Sequence, residues 1–262
     1  VSSGISYCDE VWSPVTGCTP VSEGCEHCWA REMTRRFPAI TGGDFAPRFH
    51  PERLDQPLHW RKPRVIFVAA MGDLFHQDVP DTTILHIFTQ IRRADRHTYL
   101  LLTKRSQAML TIATYLSWYS SDIPGCWQAY MGRPGATPLQ NVWLGITAEN
   151  QQRLDERVPD LLSTPAAHRW LSLEPVLGRM NLTGYLRGLG AVIFGAESGP
   201  YRRPCPHDWA RQVRNQCAEA GVPFYLKQLA ENEDGTGKVV HLPYLDGRQH
   251  LDLPWRAIRP DD

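Results

Sequence analysis

The chain has 262 residues, 42% of them hydrophobic and 10% aromatic, which is too apolar for disorder and long enough for one large domain or two small ones. Its 28 basic and 28 acidic side chains cancel, so a whole-protein electrostatic grip on DNA is not indicated. No run of about 18 apolar residues suggests a transmembrane helix, and Val1–Ser6 lacks the basic and apolar regions of a secretory signal; the expectation is a cytoplasmic protein.

In chain order, the first strand is expected as a short segment near Val11 and Trp12. The next apolar runs are Arg64–Ala70, Thr98–Thr103, Asn141–Thr147, His168–Leu173, Ala191–Gly195 and Val222–Leu226. Continuous β-branched and aromatic runs of this kind are the pattern of strands buried on both faces. Helices fit between them. Asp81 is expected to cap a helix with Ile84, Phe88 and Ile91 on one face. A polar helix follows Glu149 and Asn150, carrying Leu154, Val158, Leu161 and Leu162, with Pro159 expected to interrupt it. Asp208 is expected to start a helix with Trp209, Val213 and Cys217 at every fourth position, ended by Gly221. Strand–helix alternation implies parallel strands with right-handed crossovers. The predicted fold is therefore α/β, a partial (β/α) barrel of six to seven mostly parallel strands, with an open doubly wound sheet second. The barrel is placed in residues 1–230. A lid-like insertion near 117–138 carries Trp118, Tyr119, Trp127 and Tyr130, and a polar tail, 231–262, is expected to pack on the outside.

The strongest local signal is Cys18, Cys25 and Cys28, spaced C-x6-C-x2-C on a loop with Gly17 and Gly24. The other cysteines, Cys8, Cys126, Cys205 and Cys217, are scattered, and a chain of this size needs no disulfides. Three soft thiolates within eleven residues can converge on zinc or on an iron–sulfur centre, or remain free thiols. A four-iron cluster held by three cysteines keeps one iron open for a small molecule.

Polar residues gather just after the predicted strands: Gly72-Asp73, Lys104-Arg105, Glu149-Asn150, Glu174, Ala196-Glu197 and Lys227-Gln228. Barrel enzymes carry their chemistry at this end. Each alone reads equally as a helix cap or solvated loop, but six in one topological position point to a site. Arginines cluster as Arg31, Arg35 and Arg36; Arg92, Arg93 and Arg96; Arg202 and Arg203; and Arg211 and Arg214, either as solvated helix faces or as parts of a basic groove.

These segments resemble a known family. Trp12–Cys18, Val21–Cys25 and Cys28-Trp29-Ala30 are similar to the three-cysteine signature of radical-SAM-like proteins of phages and prophages. The similarity continues through Met71–His76, Leu101–Arg105, Trp143–Gly145, Glu149-Asn150, Leu173–Pro175, Gly195–Pro200, Phe224 and Lys227-Gln228. The resemblance implies a partial β/α barrel with a [4Fe-4S] cluster on Cys18, Cys25 and Cys28, and S-adenosylmethionine (SAM) on the open iron. It departs from the commoner C-x3-C-x2-C spacing, and His27 replaces the aromatic usual before the last cysteine, with Trp29 on its other side. By barrel position, the resemblance places Gly72 and Asp73 at the methionine amino group, Lys104 or Arg105 at its carboxylate, Glu149 and Asn150 at the ribose, and Gly195 and Ala196 near adenine. It leaves Lys227 and Glu174 as catalytic candidates and Glu197, Arg202, Arg203 and Gln228 facing substrate, away from the cysteine loop.

The function implied is radical chemistry on DNA thymidine, fed by an external electron donor. The first expectation is isomerisation of an amino-acid-modified thymidine such as glycyl-thymidine in phage DNA hypermodification, with the target base flipped out to reach the barrel mouth. The alternatives are a radical SAM repair lyase acting on thymine lesions, as in photoproduct lyases, and a non-catalytic zinc-stabilised nucleic-acid-binding module. The sequence does not fix the oligomeric state.

Overall fold

The structure, a computed structural model, describes residues 4–38, 43–118, 138–199 and 201–256, with backbone only at 115–118. Most of the expected insertion, including Tyr119, Cys126, Trp127 and Tyr130, lies outside the described residues.

The seven expected strands are present as β1 (Glu10–Trp12), β4 (Val65–Val68), β5 (Thr98–Thr103), β6 (Val142–Thr147), β7 (His168–Leu173), β8 (Ala191–Gly195) and β9 (Phe224–Ala230). They form one curled, parallel half-barrel sheet in the order β1-β4-β5-β6-β7-β8-β9. β10 (Val239–His241) adds an antiparallel eighth strand beside β9. A separate two-stranded ribbon, β2 (Val15–Thr16) with β3 (Arg48–Phe49), stands at the mouth after β1. The helices are α1 (Trp29–Arg36), α2 (Asp81–Arg93), α3 (Ser106–Trp118), α4 (Gln151–Ser163) and α5 (His207–Ala220), with a one-turn helix at Gln56–His59.

The strands read as unbroken apolar runs because both faces are covered. Ile66, Val68, Tyr99, Leu101, Leu144, Leu171 and Phe194 belong to the outer core, with Ile84, Phe88 and Ile91 of α2 and Leu154, Val158 and Leu161 of α4. The alternate residues Val65, Phe67, Leu100, Trp143, Trp170, Ile193 and Tyr225 form a second, concave core with Tyr7 and Trp255. Glycine makes room for these rings. A Cβ on Gly145 would lie 2.4 Å from Trp170 Nε1, and one on Gly190 would lie 2.6 Å from Trp143. The Trp255 indole donates to the Tyr7 carbonyl at 3.1 Å, which ties the segment before β1 to the one that follows β10 inside the curl.

Several local expectations are corrected. Pro80, not Asp81, holds the N-cap of α2; Asp81 is its first helical residue, where a carboxylate still complements the helix dipole. Likewise Pro206 precedes α5, and Asp208 sits in its first turn. Gly221 ends α5 in the left-handed region (φ 67°) as expected. Pro159 does not interrupt α4, which runs on to Ser163. A mid-helix proline costs about 3 kcal/mol, but Leu154, Val158 and Leu161, fully buried around it, hold the helix in place. Asn150 caps α4, its side-chain oxygen accepting from the Arg153 amide at 2.9 Å. β9 extends four residues beyond the expected Leu226, so Lys227 and Gln228 lie inside a strand rather than after one.

Candidate functional site

The cysteine loop lies over the C-terminal mouth of the sheet, where close backbone packing seats it. Gly17 has φ 83°, and a Cβ there would lie 2.0 Å from the Ala46 carbonyl oxygen. Its amide donates to the Met71 carbonyl at 2.8 Å, while the Cys18 amide donates to Phe45 at 2.8 Å. Gly72 faces Gly17 so closely that a Cβ would lie 2.9 Å from the Gly17 oxygen.

Three strand ends then pin the loop through side chains. After β5, Arg105 donates to the Cys18 sulfur at 3.2 Å, to the Thr19 carbonyl at 2.9 Å and to Asp73 at 2.8 Å. The buried Asp73 carboxylate also accepts from Thr103 Oγ1 at 2.8 Å and from the Phe75 amide at 3.0 Å. Thr19 closes the network with a 2.7 Å hydrogen bond to His76. After β6, Glu149 is fully buried, accepts from Ser22 of the loop, and is ion-paired to Arg157 at 2.8 Å. Asn150 donates to Glu23, which also pairs with Arg153 at 3.0 Å. After β8, Glu197 accepts from the Arg203 amide at 2.8 Å and is ion-paired to the Arg203 guanidinium. Arg203 then reaches the loop at Glu26 (3.1 Å) and the Glu23 carbonyl (3.1 Å), and His27 stands 3.3 Å from Glu197. Glu197 and Arg203 therefore contact the loop rather than standing away from it: the curl of the sheet brings the end of β8 over the segment that follows β1.

The charges are matched by these contacts. Burial favours protonated Glu197, but the Arg203 hydrogen bonds outweigh it and hold the carboxyl below the usual range. Burial and the Asp73 carboxylate push the Cys18 thiol up, against the opposing pull of Arg105.

The remaining site residues divide in two. Lys227 Nζ donates to Glu174 at 2.6 Å and stands 5.6 Å over the Tyr7 ring, on the concave side. Gly195 packs on the same Glu174, where a Cβ would lie 2.8 Å from its carboxylate oxygen. Gln228 and Ala196 bond each other, Gln228 Nε2 donating to the Ala196 carbonyl at 2.7 Å. Arg202 donates to the carbonyls of Gly199, Gly235 and Gly237, holding the turn before β10. Lys104 makes no hydrogen bond or ion pair among the described residues. Sequence reasoning missed Ser22, Glu23, Arg153 and Arg157. The one signal for them was the long first gap of C-x6-C, which carries Ser22 and Glu23.

Cys18, Cys25 and Cys28 are free and partly exposed. Among the described residues no three His, Cys, Asp or Glu side chains converge into a group that could hold a metal ion. A four-iron cluster takes each thiolate on a different iron, so its ligands need not surround one point. Three free thiols on a pinned loop, with a guanidinium already bonded to one sulfur, fit the donor chemistry of such a cluster. No helix among the described residues is long and apolar enough to cross a membrane.

The sequence pattern of the family described as "Protein of unknown function (DUF5131)" matches residues 2–254, so the chain belongs to that family. No curated protein matches it significantly. Among solved structures, spore photoproduct lyase complexed with dinucleoside spore photoproduct aligns with a TM-score of 0.51 and 11% identity, over 86% of this chain and 78% of that one. A cysteine-to-serine variant of the same enzyme aligns at 0.51 and 12%, with the same coverage. A tyrosine-to-phenylalanine variant aligns at 0.50 and 11%, over 86% of this chain and 80% of that one. At these identities the likeness is one of fold.

Proposed function

We propose that this member of the DUF5131 family is a radical SAM enzyme that acts on a modified or damaged thymine nucleotide in DNA. The observation that carries the reading is the cysteine loop: three free thiols at the C-terminal mouth of a half-barrel, tied down by side chains from three strand ends. Cys18, Cys25 and Cys28 would hold a [4Fe-4S] cluster with SAM on its open iron. When bound and reduced by an external donor, that pair supplies a 5′-deoxyadenosyl radical for hydrogen-atom abstraction.

The chain's own residues have separate tasks in this reading. Arg105 donates to the Cys18 sulfur and, with Asp73 and Thr103, sets the loop against β4 and β5. Glu149, Arg157 and Ser22 fix the loop's middle, and Arg203 with Glu197 fixes its far side. The 3.3 Å His27–Glu197 contact leaves Trp29, 49% exposed at the start of α1, as the aromatic beside the cysteines available to cover adenine. Gly72 and Gly195 give their close approach to Gly17 and Glu174, and Lys104 is the cation available for the SAM carboxylate. Lys227 and Glu174, paired on the concave side, would orient the substrate and hold a proton on the lysine nitrogen.

The fold likeness to spore photoproduct lyase favours cleavage of a thymine lesion; the mixed charge of the mouth also suits a glycyl-thymidine, which carries both carboxylate and amine. The test is an anaerobic assay with dithionite, SAM and DNA bearing either substrate, digested to nucleosides. Lesion cleavage restores thymidine. Isomerisation leaves the mass unchanged and shifts retention time. Lys227→Ala is expected to retain iron and cleave SAM but convert neither substrate. Free 5′-deoxyadenosine production by wild type with no change in either DNA would remove the substrate reading.

A further inference from the structure

The three loop cysteines differ in what meets their sulfur. The Cys18 sulfur accepts from Arg105 Nη1 at 3.2 Å. Among the described residues the Cys25 sulfur has Ser22 Oγ alone, 3.9 Å away, and the Cys28 sulfur has no hydrogen bond. The other arginines that reach the loop end on oxygen. Arg31 donates to the carbonyls of Cys25 and Glu26, Arg153 to the Glu23 carboxylate, and Arg203 to the Glu26 carboxylate and the Glu23 carbonyl. Arg105 is thus, among the described residues, the one cation bonded to sulfur.

Arg105 is also held in that position. Nη1 is shared between the Cys18 sulfur and Asp73, and Nη2 between the Thr19 carbonyl at 2.9 Å and the Thr19 hydroxyl at 3.0 Å. Thr103 and the Phe75 amide fix Asp73 from its other side. The Thr19 carbonyl is the oxygen that the Cys18 thiol faces at 3.3 Å, so it keeps a donor when the sulfur gives up its proton to bind iron. The Arg105 side chain is 13% exposed and that of Asp73 7%, and charges this far removed from water act on their neighbours with little screening.

We propose that Arg105 sets the potential at which the cluster accepts its electron, and that Asp73 limits how far. The inference rests on the [4Fe-4S] reading above. The step is the gain of one electron from the external donor, with no bond made or broken, so a cluster already anionic with its three thiolates becomes more so. A guanidinium on a ligand sulfur favours that reduced form, and the carboxylate behind it opposes it. Removing one charge or the other therefore moves the potential in opposite directions. A role confined to placing the loop predicts otherwise: a looser loop admits water, which favours the more highly charged reduced form whichever partner is lost.

The test is a redox titration of the reconstituted whole chain without SAM, followed by visible absorbance and by the paramagnetic resonance of the reduced cluster. Arg105→Met should lower the potential, so that at the wild-type midpoint the reduced-to-oxidised ratio falls about tenfold, ~59 mV for one electron. Arg105→Gln keeps a donor without the charge and should shift the same way. Arg105→Lys keeps the charge and should stay nearer wild type. Asp73→Asn should raise the potential. If Arg105→Met loses the cluster, Arg105→Gln and Asp73→Asn still carry the two opposed signs. A wild type that binds no cluster overturns the cluster reading and this inference with it. A cluster whose potential is unmoved or raised by loss of the Arg105 charge, or lowered in Asp73→Asn, overturns this inference alone.

Discussion

The two ends of the half-barrel are built on opposite principles. The concave interior and the strand starts are held by rings: Tyr7 meets Phe67, Trp170 and Tyr225 edge-on at 5.9–6.1 Å, and Trp143 meets Trp255 at 4.9 Å. The C-terminal mouth is held by charges, with Asp73–Arg105, Glu149–Arg157 and Glu197–Arg203 each partly or wholly removed from water. Burying an ion pair gives little net stability over an apolar replacement, but it fixes geometry, and breaking one partner leaves an uncompensated charge. The ring-packed end therefore supplies stability, while the mouth spends polar groups on holding one loop in one place. That is the division expected of a scaffold carrying a site.

The largest effect that would break this contrast lies at the ring-packed end. Trp170→Ala should cost about 3–5 kcal/mol, read by denaturant unfolding, because Trp170 is fully buried between Gly145 and Trp255. At the mouth, Arg157→Ala should cost nearly as much, about 3–5 kcal/mol, because it strands a fully buried Glu149. If Arg157→Ala were neutral, the pairing of Glu149 would not be what holds the loop.

Arg203→Ala should be smaller, about 1–3 kcal/mol, since Arg203 is partly exposed, but local: faster proteolysis or hydrogen exchange in residues 22–28 with little change elsewhere. A uniform loss across the sheet would contradict its role as a clamp on the loop. Acid tests the other end. Burial lowers the pKa values of His97, His168 and His250 below the ordinary 6.5. The unfolded chain therefore takes up protons first, and stability is lost as pH falls below 6.5. The thermal midpoint should drop between pH ~7.5 and ~5, and His168→Phe should lessen that drop by keeping a ring stacked on Trp143. The smallest effect is Arg35→Ala, an exposed α1 pair with Glu32, expected within about 0.5 kcal/mol of wild type.

The sheet was legible in the sequence because a strand covered on both faces has only one way to be written. Thr98–Thr103, His168–Leu173 and Ala191–Gly195 stand in the fold with the limits their apolar runs set. The α4 helix was misjudged at Pro159 because local propensity carries no record of the three buried leucine and valine side chains that hold it. The clamps on the cysteine loop were not legible. Ser22 and Glu149 are 127 residues apart, and no periodicity links a serine in one loop to a carboxylate in another. The cysteines and the polar residues after each strand were visible as separate features; that several of those residues bind the loop to the sheet follows only from the curl.

The most direct test of the central claim is the metal content of anaerobically purified wild type beside Cys25→Ser and Cys217→Ser. The account predicts a brown wild type with about four irons and matching sulfide per chain. Cys25→Ser should be colourless, and Cys217→Ser, a buried thiol pushed up to about 12 by burial, should keep its iron. A colourless wild type holding about one zinc per chain, or iron lost as completely from Cys217→Ser as from Cys25→Ser, would contradict it.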